Sequence, residues 1–255
     1  MSHIQRYTSS ELFHFVGRKD QDDDARYSRL IKIIKSGELK PPSAQTVSRS
    51  FHVNPKFAGM IKPPTPSLII NYNRKFSGND MFNPAMVCFC DIPEECLAIH
   101  MQKYSYLGFS FSRSFLVQRG ANPVFYNSLK STVRKQDRES YFNDEVKKYF
   151  ELWRRTTSTP GRCTTNKEEL MKKQEMSDQF HFIVDSILSY TVFFDHEKNE
   201  DDPDNYYMER EWRILGDVSF NISDIQTIVM PHIYSERFKN DIPDYKGHVL
   251  LVDKP

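Results

Sequence analysis

Strand-like patterns sit at both ends of this chain with a helix-period block between them, and that order constrains the fold more than any other feature. Leu12-Phe13-His14-Phe15 is a short β-prone run, followed by a polar loop over residues 18–24. Tyr27, Leu30, Ile31 and Ile34 then share one face of a helix. Gly37 stands where a helix C-cap favours a residue without Cβ. Met86–Cys90 predicts a strand stopped by Asp91-Ile92-Pro93, and Pro93 suits the first turn of a short helix over residues 94–104. Residues 106–112 and 123–126 read as further strands. In the middle third, Phe142, Val146, Tyr149, Phe150 and Trp153 mark one helix. Phe180, Ile183, Val184, Ile187, Leu188 and Thr191 mark a second, and residues 156–165 form a polar connector. Strand signals return at Glu211–Leu215, 227–230 and His248–Val252. Strands, then helices, then strands again predict an α+β protein rather than alternating βαβ units.

The 255 residues fit one large domain or two small ones. The hydrophobic fraction, 38%, is below the roughly 45–50% of ordinary globular chains, so burial must come from elsewhere. The 19 Phe, 13 Tyr and 2 Trp supply it, because each buried ring removes about 150–250 Å² from water. Lys and Arg (35) balance Asp and Glu (34), so no global field draws the chain to nucleic acid or to an anionic membrane, and such contacts would need a local patch. Four cysteines are too few for a disulfide scaffold. No secretory h-region opens the sequence, and apolar runs such as 67–70 and 192–194 are far shorter than the roughly 18 residues of a membrane span. The expectation is a cytoplasmic protein with reduced thiols and no membrane partner. Residues 41–66 carry six prolines and little periodicity, an irregular excursion of the kind that is functional or mobile. The acidic run at 195–204 reads as a surface loop.

Glu209 and Glu211 carry the sharpest local signal. At i and i+2 on a strand they would project from one face and perturb each other, so that one carboxylate could be held while the other works. The plainer alternative is a surface Glu/Arg ladder with Arg210 and Arg213. His14, between Phe13 and Phe15, is either a satisfied core histidine or a neutral donor placed to hold a ribose hydroxyl. Cys88, Cys90, Cys96 and His100 follow C-x-C-x5-C-x3-H, which fits no common structural-zinc frame, so no metal site is expected. Residues 130–138 with Lys147, Lys148, Trp153, Arg154 and Arg155 make the helical block locally basic, for stacking bases or as a solvated face. No Gly-rich phosphate loop occurs.

Three blocks in order carry a family resemblance. The first is Leu12-Phe13-His14-Phe15 leading into Leu30-Ile31-Lys32-Ile33-Ile34-Lys35-Ser36-Gly37. The second is Met86-Val87-Cys88-Phe89-Cys90-Asp91-Ile92-Pro93, with His100, residues 104–112 and Asn122-Pro123-Val124-Phe125-Tyr126. The third is Tyr207-Met208-Glu209-Arg210-Glu211-Trp212-Arg213. Together they resemble the AbiGi-type abortive phage infection proteins, labelled the antitoxin side of a two-gene phage-resistance system. More distantly the skeleton is similar to ADP-ribosyltransferases. That likeness implies a single domain over residues 1–255, with an ADP-ribosyltransferase-like mixed sheet core and a helical insertion at about 137–194. It implies NAD as substrate, with His14 as its first-strand ligand and Phe89 or Tyr104 as the wall beside the nicotinamide. Glu211 would be the catalytic carboxylate stabilising an oxocarbenium-like species, and Glu209 would orient a protein or nucleic-acid acceptor. Two other functions stay open: a non-enzymatic antitoxin that binds a partner toxin through the helical block, and a nucleic-acid-binding regulator using the basic helix.

Overall fold

A computed structural model gives the protein's structure, described over residues 9–41, 73–78, 81, 84–133, 136–157, 167–199, 201–202 and 204–253. Its elements in chain order are β1 Glu11–Phe15, α1 Asp23–Ser36, β2 Glu38–Leu39, β3 Met86–Cys90, α2 Ala98–Lys103, β4 Gly108–Ser112, α3 Arg113–Val117, β5 Asn122–Pro123, β6 Phe125–Ser128, β7 Thr132–Val133 and β8 Gln136–Asp137. They continue with α4 Arg138–Thr157, α5 Lys167–Ser186, β9 Thr191–Phe194, β10 Glu211–Leu215, β11 Val218–Ser219, β12 Ile225–Pro231, α6 Ser235–Asp241 and β13 His248–Val252. The protein is α+β, as the order of patterns predicts. The chain divides into two units, one comprising Met1–Pro42, Met86–Val124 and Glu197–Pro255, the other Ser43–Ala85 and Phe125–His196.

The first unit is organised by a seven-stranded mixed sheet in the order β13-β12-β4-β1-β3-β10-β5, antiparallel except for β12 beside β13. Side chains alternate along each strand, so the sheet has two unlike faces. Leu12, Val87, Phe89, Phe109, Phe111, Ile214, Ile228 and Met230 point to one of them, where Tyr27, Leu30, Ile31 and Ile34 of α1 cover them. Phe13, Cys90 and Val229 point to the other, with Ile92, Leu97 and Met101. The aromatic residues fill the core much as composition requires. Phe109 and Phe111 are fully buried, and Phe111 stacks on Phe115 at 4.9 Å.

Helix α1 forms because its ends are satisfied as well as its buried stripe. The Asp22 carboxylate accepts from the Ala25 N–H at 2.8 Å, and Asp23 and Asp24 meet the positive end of the helix dipole. At the other end Gly37 has φ +64 and donates to the Ile33 and Ile34 carbonyls. A Cβ there would meet the Phe220 carbonyl oxygen at 2.7 Å, and the Phe220 N–H bonds the Gly37 carbonyl at 2.8 Å.

The second unit has its own core. Phe76, Met81, Val146, Phe150, Phe180, Val184, Leu188 and Phe193 cluster there, and Trp153 stacks on Phe180 at 4.1 Å. Asn143 locks the Phe76–Gly78 turn to α4, accepting from the Ser77 N–H at 3.1 Å and donating to its hydroxyl at 3.0 Å. This unit takes in the helical block placed by sequence at about 137–194.

Several boundaries differ from the sequence reading for identifiable reasons. The short helix after Pro93 is a 3-10 turn, Glu94–Cys96, followed by α2. The strand expected from residue 106 begins at Gly108, because the Ser105 hydroxyl captures the Leu107 N–H at 3.0 Å and holds a turn. The run 123–126 serves two strands: Asn122–Pro123 pairs with β10, and Phe125–Ser128 pairs with β9. The second long helix ends at Ser186 rather than reaching Thr191, since Thr191-Val192-Phe193-Phe194, β-branched and aromatic, pairs with β6. Residues 42–66 of the proline-rich stretch and 158–165 of the connector lie outside the described residues. No helix among the described residues is long and apolar enough to cross a membrane.

Replacing Gly37 with Ala should destabilise the fold by at least about 1–2 kcal/mol, the left-handed penalty of an L-residue, because the Phe220 carbonyl leaves the new methyl no room. Chemical denaturation with a lowered midpoint and an unchanged slope is the check.

Candidate functional site

Glu209 is the most enclosed acidic group of the stretch that carries the sharpest sequence signal. It closes a 3-10 turn, Tyr206–Glu209, just before β10, and its residue exposure is 8%. Its carboxylate receives the Lys103 ammonium directly and the Tyr104 hydroxyl at 2.7 Å, both from the C-terminal end of α2. Lys103 lies 4.2 Å from the centre of the Tyr206 ring and 5.3 Å from that of Tyr104, a cation between aromatic faces. The Arg18 guanidinium lies over the Tyr104 ring at 5.0 Å. Burial, together with the Glu209 charge, pushes the Tyr104 phenol well up, so it stays a donor.

The residue between the two glutamates sets their geometry. Arg210 has φ +46, the only non-glycine in the left-handed region among the described residues. Such a conformation persists where surrounding contacts over-determine it. Here the Asp91 N–H donates to the Arg210 carbonyl at 3.2 Å, and the buried Asp91 carboxylate lies 3.7 Å from the Arg210 guanidinium. Asp91 also accepts from the Ser9 N–H at 2.8 Å and from Arg113 at 3.1 and 3.2 Å. The strand therefore opens at Glu211, not at Glu209, and the two carboxylates do not stand in strand alternation as their spacing suggests. Glu211 is held instead by Arg213, two residues on, in a bidentate pair at 2.8 and 2.9 Å.

Register decides which of the other candidate residues can join them. Phe13 is the cross-strand partner of Cys90, Cys90 of Glu211, and Cys88 of Arg213. These side chains share the face away from α1. His14, one residue after Phe13, belongs to the opposite face, where it packs 5.7 Å from both Phe89 and Phe109. Its Nδ1 bonds the Cys88 carbonyl at 2.8 Å, and burial lowers its pKa. Phe89 is 2% exposed in the α1-side core. The structure thus brings Glu209, Tyr104 and Glu211 to one side of the sheet, and His14 with Phe89 to the other. Cys88 and Cys90 lie on the glutamate face, Cys88 exposed and Cys90 buried, and burial together with the Glu209 charge pushes the Cys90 thiol up, away from the reactive thiolate. No group of three or more potential metal ligands gathers among the described residues. In the basic block, Lys130 pairs with Asp195 at 3.1 Å and Lys148 with Glu145 at 2.8 Å.

Lys103 and Arg113 have no place in the sequence reading, and Asp91 enters it only within the strand-ending Asp91-Ile92-Pro93. Lys103 adjoins Tyr104, but it meets Glu209 across 106 positions of sequence, and no local spacing encodes that.

The Lys103–Glu209 pair is largely desolvated, with side-chain exposures of 7% and 10%. Lys103→Met therefore leaves a buried, uncompensated carboxylate and should cost about 3–5 kcal/mol. The double variant with Glu209→Gln should recover most of that loss in a denaturation cycle. His100 adds a pH dependence. Packed 5.2 Å from Phe15 and 4.5 Å from Tyr104, it has its pKa pushed down to about 3, chiefly by burial and also by Lys103. The unfolded chain takes up that proton near pH 6.5 and the folded chain does not, so this contribution to stability is intact above pH 6.5 and is lost progressively as pH falls toward 3. His100→Phe should flatten the decline in unfolding free energy over that interval.

Comparison with known proteins places the chain in a family. No curated protein and no solved structure matches the chain. A family model does match, over residues 71–245, a span that includes α2, the Glu209 turn and β10 and accounts for well over half of the sequence. The chain belongs to the family described as putative abortive phage resistance protein AbiGi, antitoxin.

Proposed function

We propose that this chain is the antitoxin of an abortive phage-resistance pair, and that it acts by binding a partner toxin. The observation that carries this reading is that both carboxylates of the Glu209–Glu211 stretch are committed to the chain's own cations. Glu209 is taken by Lys103 and Tyr104, Glu211 by Arg213. A carboxylate so paired holds a fold together, and stabilising a developing positive charge would require it to break a charge-assisted bidentate bond first. The family description supports the same direction.

A second reading is NAD-dependent ADP-ribosyl transfer to a protein or nucleic-acid acceptor, on an ADP-ribosyltransferase-like fold. It draws on the juxtaposition of Tyr104 and Glu209 on the face that carries Glu211. In that reading Arg213 must release Glu211 when NAD binds, Tyr104 walls the nicotinamide, and His14 and Phe89 serve the core.

Two measurements separate the readings. Under the antitoxin reading, Glu211→Gln keeps the growth rescue that the chain gives cells expressing the partner toxin, and the purified protein releases no nicotinamide from NAD above the buffer rate. Nicotinamide release that falls by about 100-fold or more in Glu211→Gln would replace binding with transfer, that factor being about 2.7 kcal/mol of transition-state stabilisation.

A further inference from the structure

The two edges of the seven-stranded sheet are built differently. One edge, β5, is two residues long and contains Pro123, which cannot donate to a further strand. Shortness and proline are the usual protections against edge-to-edge pairing. The other edge, β13, has neither. It reads His-Val-Leu-Leu-Val, with no lysine and no proline, and it pairs with β12 in unbroken register over five positions, Thr227↔His248 to Pro231↔Val252.

The exposure pattern of β13 shows where it is open. Val249 and Leu251 pack toward the α1-side core, and Leu250 and Val252 toward the other face. All four nevertheless remain half-buried, whereas Ile228, Val229 and Met230 of the neighbouring β12 are fully buried. Exposure that ignores the alternation of faces lies along the strand's outer edge, not above or below the sheet. At the same end as Val252, Ile233 in the turn after β12 is 82% exposed.

We propose that β13 pairs antiparallel with β13 of a second copy of this chain, about a twofold axis through Leu250. The strand is complementary to itself in that register. Val249 meets Leu251, Leu250 meets its own copy, and His248 meets Val252, so every pair sets side chains on matching faces and no like charges stand opposite. Both cores then continue from one copy into the next, and the edge backbone groups gain partners. This interface is independent of the toxin-binding proposal.

Sedimentation equilibrium and hydrogen exchange on the full chain test it. The wild-type protein should approach twice the chain mass at high micromolar concentration, and the amides of residues 248–252 should gain protection as concentration rises. Leu250→Glu sets two carboxylates opposite each other across the axis and should weaken association by up to about 5-fold relative to Leu250→Gln, which shares the lost packing but not the charge. A wild-type chain that stays single at high concentration, with concentration-independent exchange over β13, overturns the proposal. So does a Leu250→Glu variant that associates as well as Leu250→Gln. Should neither variant fold, the wild-type exchange measurement alone decides.

Discussion

The alternation of side chains across β1, β3, β4, β10 and β12 is the constraint on which the rest of the first unit depends. A strand commits each residue to one of two faces, and one slip in register would move every side chain to the other. Phe13↔Cys90 and Cys90↔Glu211 fix that commitment across the three strands that carry the candidate site. One face becomes an aromatic core under α1. The other receives α2 and the Glu209 turn, and with them the buried Glu209 carboxylate and Lys103. His14 falls on the aromatic side by parity alone, where a neutral imidazole bonded to a strand carbonyl is a satisfied core group.

The charged face is held together by internal compensation. Lys103 and Arg213 meet Glu209 and Glu211 there, while Arg113, over the ring of Trp212, meets Asp91. Taking such charges from water is costly unless each finds a partner with good geometry, and the pairs here use direct bonds, bidentate between Arg213 and Glu211. The left-handed Arg210 belongs to the same arrangement. It turns the backbone between the glutamates so that one faces α2 while the other enters β10, and Asp91 stabilises it from both its carbonyl and its guanidinium sides.

What could be read from sequence was local periodicity. The α1 stripe with its Gly37 cap, β3, β10 and β13 lie where their patterns place them, because hydrophobic spacing and capping chemistry act within a few residues. Two of the errors share a cause in partners far along the chain. Residues 123–126 look like one strand, but Pro123 finds β10 and Phe125 finds β9. Thr191 continues a helical period, yet β6 offers it a ladder. The same limit governs the site. Glu209 and Glu211 were visible as a pair, and Tyr104 as a neighbour, but the turn that separates the glutamates depends on an arginine in a conformation usually reserved for glycine. Nothing at position 210 announces it. Lys103 was equally silent, since a lysine at a helix end is ordinarily a solvated residue that complements the dipole.

That silence bears on how a Glu-x-Glu stretch should be weighed in a chain of this kind. The spacing alone is compatible with a catalytic pair or with an internal ladder, and the difference lies in which cation each carboxylate reaches. Arg213 is two positions from Glu211 on the same strand face, so its pairing follows from β alternation and could be anticipated once the strand is accepted. Glu209 lies outside the strand and can only be understood through α2. A functional interpretation therefore turns on the helix that ends at Lys103 and Tyr104 as much as on the glutamates. If α2 holds its place, Glu209 remains a neutralised brace. If a ligand or partner draws Tyr104 and Lys103 away, a buried carboxylate is uncovered beside Glu211, and the same residues acquire an energetic reason to bind the cation that replaces them.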